Sequence, residues 1–166
     1  IDVVILYPKG KVSEVQEKQL TTLGENITAL EVDGTFDDCQ DMVKTAFIDP
    51  ELTNEVALTS ANSINIARWL SQMFYYFSAY KNRPKSNNKL VVSVPSGNFG
   101  NLCAGLVAHK MGLPITHFIA STNVNDTVPS YLETGNYDPK KSVSTISNAM
   151  DVGDPSNFIR IQKLFN

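Results

Sequence analysis

The chain has 166 residues, a net charge of −3, a hydrophobic fraction of 42% and a charged fraction of 19%. That suits one globular domain with a real core. It offers no basic surface for nucleic acid and no apolar run near the ~18 residues that a membrane span needs.

Ile1 to Leu6 reads as a strand with no initiating Met and no leader, so a chain cut from a longer one is expected. The short run Val3-Val4-Ile5-Leu6 predicts a buried strand. A helix is predicted over about Val12 to Leu23, ended by Gly24. Ile27 to Val32 alternates and is rich in β-formers, a second strand. Phe36, Cys39, Val43, Ala46 and Phe47 then recur at helical spacing. Asp37 and Asp38 fall in the first turn of that helix. They suit its dipole better than a paired-carboxylate metal site, and Pro50 marks its end.

Glu55 to Thr59 is a weaker third strand. One long helix is predicted from about Ser63 to Tyr80, apolar on so much of its circumference that it must be covered on more than one side. Arg83 to Asn88 is a polar loop, and Leu90 to Val94 a fourth strand, expected at the centre of the sheet. Asn101 to Met111 forms a helix with Gly112 past its end, and Ile115 to Ala120 a fifth strand. A short helix is predicted near Thr127 to Leu132. Ser142 to Ile146 reads as a strand or an extended loop. Asp154-Pro155 pairs an N-cap with a first-turn proline, opening a helix through Leu164.

Strands separated by helices imply a single α/β domain over residues 1–166, an open, mostly parallel, twisted sheet with helices on both faces. Ligands in such folds bind at the carboxyl ends of the strands. Pro8-Lys9-Gly10, Asp33-Gly34-Thr35, Ser60 to Ser63, Ser96 to Asn101 and Ser121-Thr122-Asn123 lie there. Gly97-Asn98-Phe99-Gly100-Asn101 is the most specific. Two glycines let the backbone bend tightly, and a helix start supplies unpaired N–H groups, so a phosphate can be held without a cationic side chain. A structural turn with an asparagine cap is the plainer alternative. GxGxxG and the Walker lysine motif are absent, which argues against nicotinamide cofactors and nucleoside triphosphates.

The turn carrying Ser60, Asn62, Ser63 and Asn65 is a second donor-rich helix start. It suits another anion or a substrate's polar head, and ordinary capping explains it equally well. His109 and His117 have no partner spacing for acid–base work, and no serine-nucleophile elbow is present. Cys39 and Cys103 have neither metal spacing nor a disulfide framework. They read as small core residues in a reducing, cytoplasmic setting.

Val94-Pro95-Ser96-Gly97-Asn98-Phe99-Gly100-Asn101 resembles the phosphate loop of the threonine synthases, which use pyridoxal 5′-phosphate (PLP). Tyr7 to Ser13, Gln16 to Gly24, Gly34 to Gln40, Thr59 to Asn65 and Asn148 to Asn157 resemble that family too, in order along the chain. The resemblance implies the large-domain core of fold type II PLP enzymes. It implies PLP held at Gly97 to Asn101, and conversion of O-phosphohomoserine and water to threonine and phosphate. The family's cofactor-bearing lysine is expected upstream of the segment matching Ile1. No catalytic residue is therefore expected here, and the isolated chain is expected to be inactive. Another fold type II enzyme, a dehydratase or a cysteine-synthase-like one, is the nearest alternative. A non-catalytic α/β interaction module is the alternative from another class.

Two further expectations follow. Aromatics on the long helix (Trp69, Phe74, Tyr76 and Phe77) should form a bare apolar face for the rest of the enzyme or a second copy. Valine at Gly97 or Gly100 should weaken phosphate binding more than it unfolds the domain.

Overall fold

The computed structural model describes residues 1–85 and 87–165. Ser86, expected in the polar loop after Arg83, lies outside the described residues.

Two β-α-β units form the framework. In the first, β1 (Val3–Pro8) and β2 (Ile27–Val32) run parallel, with Val3 opposite Ile27 and Pro8 opposite Val32. Helix α1 (Glu14–Thr21) crosses between them, started by a capping box of Ser13 and Gln16. In the second, β3 (Leu90–Pro95) and β4 (Ile115–Ser121) run parallel, joined by α6 (Gly100–Lys110). Between the units lie α2 (Phe36–Ile48), α3 (Pro50–Glu55), α4 (Ile66–Leu70) and α5 (Met73–Asn82). After β4 come α7 (Thr127–Thr134), a single 3₁₀ turn at Asn148–Met150, and α8 (Phe158–Phe165).

The α/β class and the parallel pairing are as the sequence implies. The strands, however, form two separate two-stranded sheets rather than one open sheet. Leu90 to Val94 therefore has a strand on one side only among the described residues, instead of sitting centrally. The expected third strand is not formed. Asp49 caps a helix by accepting from the N–H groups of Glu51 and Leu52, and Pro50 occupies its first turn. The proline thus starts α3 as well as ending α2, and Val56 to Thr59 follow without a strand partner.

The long helix predicted from Ser63 to Tyr80 is broken at Ser71-Gln72. The Ser71 hydroxyl donates to the Arg68 carbonyl at 3.0 Å, and the Gln72 N–H reaches back only to Trp69. Trp69, Met73 and Tyr76, at i, i+4 and i+7, still share one face across the break and all enter the core. Phe77 packs against the core, while Phe74 and Tyr75 stay exposed. Only part of the expected bare aromatic face is therefore bare. Helix α8 begins later than Asp154-Pro155 predicts, because Asp154 accepts the Tyr137 hydroxyl at 2.8 Å and Pro155 to Asn157 form a turn. Residues 142–146 are a loop.

The core gathers around α6, which packs on α4, α5 and α8. Phe158 is its aromatic hub, with ring centroids 6.0 Å from Phe99, 5.3 Å from Tyr131 and 5.7 Å from Tyr137.

Candidate functional site

The turn from β3 into α6 is anchored first by its backbone. Ser96 donates its N–H to the Ser121 carbonyl at 2.7 Å, closing the end of the strand pair. Beyond that bond, the N–H groups of Gly97, Asn98, Phe99, Gly100, Asn101 and Leu102 donate to no protein acceptor among the described residues. The last three are the orphans that any helix start leaves. The first three extend the row backward through the turn.

The left-handed residue of this turn is Phe99, at φ 60°, and not either glycine. That conformation costs a side-chain-bearing residue about 1–2 kcal/mol. Burial of the Phe99 ring against Phe158 offsets it. The glycines serve a different need. A Cβ at Gly97 would lie 2.6 Å from the Met150 Cα, and one at Gly100 would lie 2.7 Å from the Ser63 Cβ. Both are glycine because other parts of the chain press on them. A valine at either position meets the protein before any ligand, so binding and folding are not separable by that substitution as the sequence suggested.

Side chains then fix the turn. The Asn98 amide donates to the Ser63 hydroxyl at 3.0 Å and to Gln40 Oε1 at 3.4 Å, and its oxygen accepts from the Ser156 hydroxyl at 3.0 Å. The Tyr76 hydroxyl donates to both the main-chain and side-chain oxygens of Asn101. Burial pushes the Tyr76 hydroxyl up to about 12, so it stays a donor.

The second donor-rich turn lies against the first. The Ser60 hydroxyl accepts from the Asn62 N–H at 3.1 Å. Asn65 caps α4 by accepting from the Ala67 N–H, while its amide donates to the Ser60 carbonyl at 2.9 Å. Ser63 meets both Asn98 and the face of Gly100. The structure thus brings Ser63 to the glycine turn, with Asn65 bracing the loop behind it.

The residues that sequence reading did not assign lie in the segment from Met150 to Arg160. Met150 backs Gly97, and Ser156 holds Asn98. Asn157 is fully buried, and its Nδ2, without a partner, stands 3.3 Å from the Cβ position of Gly100. Arg160 donates to the Ser63 carbonyl at 2.9 Å and the Ile64 carbonyl at 2.6 Å. The only signal for these contacts was the family likeness of Asn148 to Asn157. Asp151 in that run accepts from Asn123, Asn125 and Thr145, tying it to the end of β4.

A separate cleft of about 640 Å³ opens where the ends of β1 and β2 face residues 141–151, with Lys9, Lys11, Gln16, Thr35 and Lys141 on its walls. The glycine turn does not line it. Asp38 closes the Thr35 capping box, accepting the Thr35 N–H at 2.6 Å, which is the helix-start role its position suggested. Every lysine of the chain is exposed.

These elements define a parallel α/β protein with two donor-rich turns meeting at helix starts. No protein-family profile matches the chain. It is 58% identical to threonine synthase of Haemophilus influenzae over 166 residues, aligning 99% of this chain with 39% of that protein. Identity to the Escherichia coli (strain K12) enzyme is 56% at the same coverage. The fold superposes on the crystal structure of threonine synthase from Escherichia coli with a TM-score of 0.94, covering 99% of this chain and 39% of that one. The PLP-bound threonine synthase from Brucella melitensis matches with a TM-score of 0.79 at 43% identity, covering 96% of this chain and 35% of that one. By sequence and fold, the chain corresponds to a segment of threonine synthase, spanning about two fifths of those relatives' length.

Proposed function

We propose that this chain supplies the phosphate-holding part of a PLP-dependent threonine synthase, which converts O-phosphohomoserine and water to threonine and inorganic phosphate. One observation carries the reading: the unbroken row of unpaired N–H groups from Gly97 to Leu102. The left-handed residue at Phe99 curves successive N–H groups into a concavity of the kind that binds anions, and the α6 dipole points the same way. The residues present therefore fit a phosphate group. Gly97, Asn98, Phe99, Gly100 and Asn101 would hold the phosphate of PLP, and when bound the cofactor supplies an electron sink.

The chain's own residues do the positioning. The Ser63 hydroxyl accepts from Asn98, which leaves its proton for a substrate oxygen. Ser60, Asn62, Ser63 and Asn65 together present the polar loop for O-phosphohomoserine. Every lysine here is exposed to solvent, whereas an imine-forming amine is held in a desolvated pocket, so the chain alone is expected to release no phosphate from that substrate. The exposed rings of Phe74 and Tyr75 suit packing by the remainder of the enzyme or a second copy. The two unpaired, buried cysteines suit the cytoplasm.

Titration of the isotope-labelled chain with inorganic phosphate tests the cradle. The amide resonances of Gly97 to Leu102 should move together and saturate. Movement elsewhere, with those amides still, would sink the reading.

A further inference from the structure

We infer that Arg160 is a positioning residue that sets the second turn and supplies the positive charge behind the phosphate cradle. The inference rests on the function just proposed and assigns the cradle a cation that the turn itself lacks.

The guanidinium comes from α8, far along the chain, yet it reaches two successive carbonyls of the 60–65 turn, those of Ser63 and Ile64. A planar fork gripping neighbouring carbonyls fixes the rotation of both peptides. Because C=O and N–H point oppositely across a planar peptide, the N–H groups of Ile64 and Asn65 are turned away from α8. The same grip holds the Ser63 side chain where Asn98 donates to it.

The third contact of Arg160 is the oxygen of Asn157. That bond directs the Asn157 Nδ2, buried and unpaired, toward the face of Gly100. No carboxylate pairs with Arg160 among the described residues, so its charge rests on neutral oxygens alone. The charge reaches the first turn of α6, where it draws the Cys103 thiol down against the burial that pushes it up to about 11. A half-buried cation without a counter-ion, next to a row of free N–H groups, adds to the field that an incoming phosphate meets.

The test uses a complete threonine synthase containing this segment, with Arg160→Lys and Arg160→Ala. PLP affinity of the apoenzyme is read from cofactor absorbance, alongside KM and kcat for O-phosphohomoserine and a thermal melt. Arg160→Lys keeps the charge and loses the fork. It should hold PLP affinity within about threefold while raising KM about tenfold with kcat little changed. Arg160→Ala should weaken PLP about tenfold as well, and added guanidinium ion should recover part of both losses.

A folded Arg160→Ala enzyme with unchanged PLP affinity and KM overturns the assignment. So does a loss in both variants that tracks only the melting temperature and resists guanidinium, which would make Arg160 a brace. If Arg160→Ala does not fold, the KM-against-kcat split of Arg160→Lys decides. Failure of the underlying cradle reads differently: inorganic phosphate would then not compete with PLP in the unsubstituted enzyme.

Discussion

The two β-α-β units share a topology and differ in what their crossover helices bury. Helix α1, with the sequence Glu-Val-Gln-Glu-Lys-Gln-Leu-Thr, has no buried residue. Helix α6 buries Gly100, Leu102, Cys103, Ala104, Gly105 and Ala108. The strand pairs themselves are similarly half-exposed, so parallel pairing is not what makes a core here. Small side chains on α6 let α4, α5 and α8 approach closely; Gly105, for example, has Tyr76 and Phe118 against it. Long charged chains on α1 keep its surface in water. The first unit contributes only Tyr7 and Pro8 to the buried residues, and the helix after it only Cys39 and Gln40.

The hardest test of this contrast is overpacking at the α6 start. Gly97→Val and Gly100→Val should each cost more than ~3 kcal/mol or prevent folding, because Met150 backbone and Ser63 occupy the space. Urea melts measure it. A Gly97→Val protein that melts like its parent would show that the segment from Met150 to Asn157 does not press on the turn.

Cavity formation separates the units next. Phe158→Ala should lose about 3–5 kcal/mol, since four rings meet there. Leu30→Ala, on the exposed face of β2, should stay within ~1 kcal/mol. Equal losses at the two sites would erase the distinction.

Hydrogen exchange should resolve the same difference without mutation. Amides of β1 and β2 should exchange through smaller, local openings, while those of β3 and the middle of α6 exchange only on global unfolding. Uniform protection across both units would mean that they unfold as one.

The smallest effect lies where the units meet. Burial, and then the Asp154 and Asp41 carboxylates, push the Asp37 carboxyl above its ordinary range, while a Gly153 N–H and Lys44 pull it down. The folded chain therefore holds this proton more tightly than the unfolded one. The resulting stability is present below the ordinary carboxylate pKa and declines as pH rises through the raised value. Asp37→Asn should remove that decline and gain less than ~1 kcal/mol at neutral pH, the half-exposed position being screened. Melts between about pH 3 and 7 check it. A loss at neutral pH would mean that the charge is needed there.

Local pattern was enough for much of this chain. The apolar runs at Val3, Leu90 and Ile115 are strands because alternation and β-branching are properties of the segment itself. Ser13 with Gln16, and Thr35 with Asp38, mark helix starts because a capping box spans only four residues. The glycine turn before α6 was legible for the same reason, as was its likeness to one family.

Long-range contacts decided the rest. Whether Glu55 to Thr59 became a strand depended on a partner that the chain does not provide among the described residues. The glycines at 97 and 100 suggested close approach by a ligand, yet what presses on their Cβ positions is Met150 and Ser63. Arg160 gave no local sign of reaching the Ser63 turn, because its partners lie nearly a hundred residues away. Short-range periodicity and capping energies are written in adjacent residues. Close approach and the orientation of buried donors exist only once distant segments are packed together.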